Sequence, residues 1–279
     1  METGKKESIF NKFSLSSKVA IVTGGAGLLG KQFTLTLAQA GAHVIVADQN
    51  IELAQNQADA INQEGFSSSA VSVDVTDPIS VEELVIKVVK GYSRLDVLVN
   101  SAALDPKFDP QHSNEQSNNA FENYPLNAWQ DSLNVNLTGM FLTSQATVRQ
   151  MLKQGEGVII NICSIYGLVG PNQDIYCIPG RPEKFKPVDY SVTKAGVLGF
   201  TRYLAAYLSG KNIRVNALSP GGVNNDHEKE FVKNYSAHTI LGRMSKLDEM
   251  NGALLFLASD ASSYMTGSNL IIDGGWTAW

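Results

Sequence analysis

The stretch Lys18 to Gly30, KVAIVTGGAGLLG, constrains this chain more than any other. Val19-Ala20-Ile21-Val22 is a short apolar, partly β-branched run of the kind that forms a buried strand. It runs directly into Gly25-x-Gly27-x-x-Gly30, and Leu29, Phe33 and Leu37 then recur at helical spacing. Strand, glycine turn and helix in that order form a dinucleotide-binding pattern. Glycines without Cβ let backbone N–H groups and a helix N-terminus come close to a pyrophosphate. The candidate contacts are Thr23, Gly24, Gly25, Gly27, Leu28, Leu29 and Gly30. Asp48, about 20 residues on at the end of a second apolar run, is placed to accept from a ribose 2′-OH and to repel a 2′-phosphate. Gln49 and Asn50 follow it, neither basic, so NAD is expected over NADP.

Further along, strands alternate with amphipathic helices. Strands are expected at Ala70–Val73, Leu95–Val99, Val158–Ile162, Ile213–Ala217 and Leu270–Ile272. Helices are expected over Ile51–Gln63, from Pro78, over Leu126–Met151, Val188–Leu208 and Leu247–Leu257. This is an α/β chain of right-handed βαβ units in a parallel sheet. Met1–Ser17 reads as a surface tail and 18–279 as one domain, without repeats or a linker. Seven of the nine prolines fall in two irregular insertions, at about 104–125 and 170–187. Each follows a strand, at the sheet edge where open α/β sheets bind ligands, so both are expected to roof a substrate pocket.

Composition narrows the partners. The 279 residues carry a net charge of −5, which gives no support for nucleic-acid or membrane-surface binding. No apolar run is long enough to span a bilayer, and METGKKESIF lacks a signal-peptide core. Cys163 and Cys177 are the only cysteines, so a reducing cytoplasm is the expected compartment. His43, His112, His227 and His238 show no ligand spacing, and no metal is expected.

Tyr190-Ser191-Val192-Thr193-Lys194 opens the helix after the fifth strand, placing a phenol and an ammonium one turn apart. A free phenol titrates near 10, and a cation within about 4–6 Å, with a positive nicotinamide ring close by, lowers that. Such a tyrosine can exchange a proton with an alcohol or carbonyl oxygen while hydride moves to or from a nicotinamide. Ser164, at the end of the fifth strand, can hold the substrate oxygen where charge develops. Asn136 interrupts an apolar helix stretch, as either a satisfied core asparagine or a group holding a relay water near Lys194.

With these motifs in this order, from Lys18 to Gly275, the chain resembles the short-chain dehydrogenase/reductase family. The resemblance implies a Rossmann-type doubly wound sheet of seven parallel strands, order 3-2-1-4-5-6-7. It implies a catalytic tetrad falling on Asn136, Ser164, Tyr190 and Lys194. It also implies cofactor contacts from Asp74, Val75, Asn100, Ala102, Pro220, Gly221 and Val223. Homotetramers or homodimers are the implied assemblies, with the Leu126–Met151 and Val188–Leu208 helices, Trp276 and Trp279 at interfaces.

Three departures stand out. Thr23-Gly24-x-x-Gly27-x-x-Gly30 has the glycine spacing of the family's nucleotide-sugar epimerases and dehydratases. Asn100-Ser101-Ala102-Ala103 ends in alanine where the family usually has glycine. Ser164 and Tyr190 stand further apart than usual, with the second insertion between them. The chain stops after its seventh strand, which favours simple alcohol–ketone interconversion over the epimerase or dehydratase alternative. Ser164-Ile165-Tyr166-Gly167 resembles a subgroup associated with bacterial surface sugars, so a sugar-like substrate is expected. Arg181, Lys184 and Lys186 are either a solvated face or a diphosphate site, and Tyr166 and Tyr176 either line the pocket or pack. A non-catalytic NAD-binding sensor or scaffold is the remaining alternative.

Overall fold

The computed structural model describes residues 8–105, 119–177, 180 and 184–279. Seven parallel strands form one sheet in the order β3-β2-β1-β4-β5-β6-β7. They are β1 (Val19–Thr23), β2 (His43–Asp48), β3 (Ser67–Ser72), β4 (Val97–Asn100), β5 (Gly157–Ile162), β6 (Ile213–Pro220) and β7 (Asn269–Ile272). The connecting helices are α1 (Leu28–Gln39), α2 (Ile51–Gln63), α3 (Pro78–Tyr92), α4 (Leu126–Leu133), α5 (Met140–Gln154), α6 (Val188–Tyr207), α7 (Lys229–Ser236) and α8 (Asn251–Ala258).

Alternation along the strands decides which layer each side chain joins. Ala20 and Val22 of β1 pack with Phe33 and Leu37 of α1, Ile61 of α2 and Leu254 of α8. Val19 and Ile21, pointing the other way, pack with Leu84 and Val88 of α3, Met151 of α5 and Leu204 of α6. Covering both faces is what a parallel sheet requires, and each fully buried large side chain contributes about 1.5–3 kcal/mol. Local signals agree with the packing. Asn50 caps α2 by accepting from Leu53 N at 3.0 Å, and Asp77 with Pro78 starts α3.

Several boundaries differ from those expected. β3 starts at Ser67, because three serines with little apolar signal still pair in register with His43–Ile45. α8 starts at Asn251 instead of Leu247. The helix expected over Leu126–Met151 exists but is broken in character by a π-turn, Asn134–Gly139, between α4 and α5. Of the N-terminal tail, Ile9–Phe13 is an exposed 3₁₀ turn, whereas Leu15 is buried and donates from its N–H to the Ala40 carbonyl at 2.8 Å.

The edge where the strands begin is held by charge. Asp96 accepts from Val19 N at 2.8 Å and from Arg94 Nε at 2.7 Å. Lys18 and Arg94 both bond Glu156, at 3.0 and 2.9 Å. The opposite edge, where the strands end, carries the cavity.

Candidate active site

A cavity of about 860 Å³ runs along the carboxyl ends of the strands, from Asp48 past Ser164 to Tyr235. Its first part is the glycine turn. Gly24 has φ +63°, and a Cβ there would lie 2.8 Å from Ala102 Cα. A Cβ on Gly30 would overlap the Gly24 carbonyl oxygen. Both positions therefore exclude side chains, and the backbone cradle they leave fits a pyrophosphate. Gly27 caps α1 without a side-chain bond, so the helix N-terminus faces the cavity. Thr23 Oγ1 accepts from Ser101 N at 3.1 Å and Ala102 N at 3.3 Å, stapling the turn to the end of β4.

Asp48 is held in place by the same turn: its Oδ2 accepts from Ala26 N and its Oδ1 from Asn50 N, each at 3.1 Å. The described residues lining this end, among them Ala26, Gly27, Gln49, Asn50 and Leu53, include no lysine or arginine. Leu28, Leu29, Asp74, Val75, Ala102, Pro220, Gly221 and Val223 also line the cavity. Thr23, Gly25, Asn100 and Asn136 do not; they shape it from behind. The Asn100 amide is turned inward, donating to Ser144 Oγ and Asn161 Oδ1, both at 2.9 Å, and accepting from Thr143 at 2.7 Å. A buried amide satisfied on three sides fixes the strand end, and its side chain does not reach the cavity.

Ser164 follows β5 and anchors a short 3₁₀ turn by accepting from Tyr166 N at 3.2 Å. Tyr190 and Lys194 come from the first turns of α6 and meet Ser164 in the cavity. Lys194 Nζ donates to the Ile162 carbonyl at 2.9 Å and lies 5.7 Å from the Tyr190 ring centre. Several neighbours act on the Tyr190 phenol. Burial pushes it well above the usual phenol range, Asp105 pushes the same way, and the neighbouring Ser164 hydroxyl pulls it down. Burial likewise moves the Lys194 ammonium below its ordinary value.

Asn136 sits in the π-turn, a form that often marks functional helices. Its Oδ1 accepts from Leu104 N at 2.7 Å, and its Nδ2 donates to Leu104 O at 3.2 Å and Thr193 Oγ1 at 3.1 Å. The amide therefore pins the start of the first insertion and keeps one acceptor lone pair on Oδ1.

Three features escaped sequence reasoning. Lys186 is buried and pairs with Asp105 through two bonds of 2.8 Å, so it is neither a solvated face nor a free phosphate ligand. Arg181 lies outside the described residues, and Lys184 is exposed. Tyr235, from α7, accepts from Gly222 N at 2.5 Å and stacks on Trp276 at 4.3 Å. Trp276 is thus buried within its own chain, contrary to the interface expected for it, whereas Trp279 is 77% exposed. Tyr166 and Tyr176 do line the cavity, with hydroxyls 2.9 Å apart. Burial raises Tyr166 to about 12, and Tyr176 further, so both hydroxyls stay neutral.

Comparison with known proteins agrees with this geometry. Residues 18–236 match the family model for short chain dehydrogenases. A 3-oxoacyl-(acyl-carrier-protein) reductase, FabG, of Thermotoga maritima is 36% identical over 94% of this chain and 98% of its own. D-threitol dehydrogenase of Mycolicibacterium smegmatis is 31% identical over 99% of both. A gluconate 5-dehydrogenase of Burkholderia cenocepacia, solved with NADP and tartrate, superposes with a TM-score of 0.85 at 27% identity, covering 98% of this chain and all of its own.

Proposed function

The chain belongs to the short-chain dehydrogenase family, oxidoreductases of alcohol and ketone groups that bind nicotinamide cofactors, and from that premise we propose that it interconverts a secondary alcohol and a ketone on a small polyhydroxylated substrate, using NAD. The observation that carries the reading is the convergence of Ser164, Tyr190 and Lys194 at one end of a cavity whose other end is the glycine cradle.

When bound, the nicotinamide supplies or takes the hydride. The remaining steps belong to side chains of this chain. Ser164 holds the substrate oxygen beside Tyr190. The Tyr190 phenol, kept neutral by burial, gives its proton to that oxygen during reduction and recovers it during oxidation. Lys194, one turn along α6, favours the phenolate whenever the proton leaves. The unused lone pair of Asn136 Oδ1 is available to a water that restores the proton from the Lys194 side.

NAD is favoured over NADP by the carboxylate of Asp48 and by the lack of a basic side chain among the described residues around it. A hydroxylated substrate is favoured by the polar wall of the reaction end, which the hydroxyls of Tyr166 and Tyr176 and the carboxylate of Asp105 line. We read residues 18–279 as one catalytic domain. Leu126, Phe141, Tyr203 and Tyr207, exposed on α4, α5 and α6, support a homotetramer or homodimer. Among the described residues no helix is long and apolar enough to cross a membrane.

The test is Tyr190→Phe assayed against a panel of polyols, sugars and β-ketoacyl thioesters, with both cofactors. The variant is expected to bind NAD as the wild type does and to turn over nothing. Turnover retained in the variant would remove Tyr190 from the chemistry, and wild-type turnover confined to thioesters would overturn the substrate class.

A further inference from the structure

The two insertions meet at the acid–base tyrosine. Asp105 lies five residues past the end of β4, at the start of the first, and Lys186 closes the second just before α6. Lys186 Nζ donates to both carboxylate oxygens of Asp105 at 2.8 Å, with its side chain 5% exposed. The same ammonium lies 3.8 Å from the centre of the Tyr190 ring, nearer than Lys194. Its backbone is fixed by Gln173, whose Oε1 accepts from Lys186 N at 2.8 Å and whose Nε2 donates to Lys186 O at 3.3 Å. Asn119 Nδ2 adds a second tie between the insertions, donating to Phe185 O at 3.2 Å.

A buried ion pair contributes little to stability compared with a well-packed apolar pair. One placed on the face of a working phenol has a different consequence. The ammonium attracts the ring and stabilises a phenolate, and the carboxylate opposes it. We propose that Lys186 and Asp105 form a charge-balanced clasp that joins the two insertions and sets the proton affinity of Tyr190, with Lys186 as a positioning residue. The proposal rests on the reading of Tyr190 as acid–base group.

Among the described residues, the other groups around the ring do not duplicate this balance. Lys194 approaches from within α6; Cys163, Ser164 and Tyr166 approach from the segment after β5. Tyr176 and Tyr235 share its cluster and are kept neutral by burial. Asp105 supplies the negative charge that acts on Tyr190, and Lys186 is the cation paired with it. Removing one member therefore uncovers the other. Asp105→Asn leaves an unopposed ammonium on the ring and favours the phenolate. Lys186→Met takes the ammonium off the ring, keeps the carboxylate, and disfavours the phenolate. Removing both restores the balance.

The experiment follows the Tyr190 ring carbon by NMR in protein labelled at tyrosine Cζ, between about pH 6 and about pH 11, with NAD bound so that its positive nicotinamide would offset the burial that holds the phenol high. Its resonance is identified by its loss in Tyr190→Phe. The midpoint is expected to fall by about one pH unit in Asp105→Asn and to rise by about one or leave the range in Lys186→Met. It is expected near the wild-type position in the double variant and in Lys186→Arg, which keeps the cation. Should Asp105→Asn fail to fold with its stranded ammonium, Lys186→Met, Lys186→Arg and the double variant still decide. Midpoints that coincide in the variants that fold, that move the same way in both single variants, or a resonance that stays fixed in every protein, would overturn the clasp. Because no turnover is measured, that result stands apart from activity persisting in Tyr190→Phe, which would strike at the acid–base reading itself.

Discussion

The ammonium of Lys194 donates to the carbonyl oxygen of Ile162 at 2.9 Å, joining α6 to the last residue of β5. The strand end that delivers Ser164 and the helix that delivers Tyr190 are thus tied by a third residue of the same site. Lys194→Met keeps the length of the side chain and removes both the tie and the charge. Turnover is expected to fall by roughly 100-fold or more. Stability at neutral pH should change by less than about 2 kcal/mol, because relief from burying an ammonium offsets the carbonyl left unpaired. Steady-state rates and thermal melts of the same preparation check both halves.

Asp48 is pinned to the glycine turn through Ala26 N, so its carboxylate has little freedom to move aside for a 2′-phosphate. Asp48→Asn keeps the shape and removes the charge. NAD is expected to bind roughly 10-fold more weakly, as a charge-assisted bond becomes a neutral one, and NADP more tightly than in the wild type. Equilibrium titration with each cofactor measures the ratio; an unchanged ratio would take Asp48 out of cofactor choice.

Gly30 packs against the backbone of Gly24 with no room for a methyl group. Gly30→Ala is expected to cost about 1–3 kcal/mol through forced backbone shifts and to abolish cofactor binding by moving the cradle. Calorimetric binding and urea unfolding of the variant test the two effects separately.

His43 lies between Ser67 and Ser69, at 2.7 and 3.1 Å, with its ring 4.1 Å from that of Tyr92. Burial holds its imidazole below the ordinary value of 6.5. The unfolded chain then binds more protons than the folded one in the interval between the two values. Stability should rise with pH through that interval and be lost as pH falls through it. His43→Gln should flatten this part of the profile, in urea midpoints measured on either side of about pH 6. The ring is only half-buried, so solvent screening keeps the effect small.

Much of this arrangement was legible in the chain. The alternation of apolar runs with helical periodicity points to a parallel α/β sheet, the family resemblance implies its strand order, and the glycine turn with Asp48 locates one end of the cavity. Ser164, Tyr190 and Lys194 meet as their positions implied. The π-turn at Asn134–Gly139 was not legible, because one extra residue in a helical turn leaves hydrophobic spacing nearly unaltered over so short a length. β3 was placed late because its serines owe their position to ladder bonds with β2, and those carry no side-chain signal. Lys186 was grouped with its charged neighbours because sequence proximity cannot reveal a carboxylate arriving from the other insertion. The burial of the Tyr190 phenol was not legible for a related reason: spacing shows where a cation lies but not how much water is lost.

The lattice of Lys18, Arg94, Asp96 and Glu156 lies at the rim of the sheet opposite every reactive group. Heat tolerance can therefore be rewritten at one rim and substrate choice at the other, with the strands between them as spacers, so that changes of the two kinds accumulate independently.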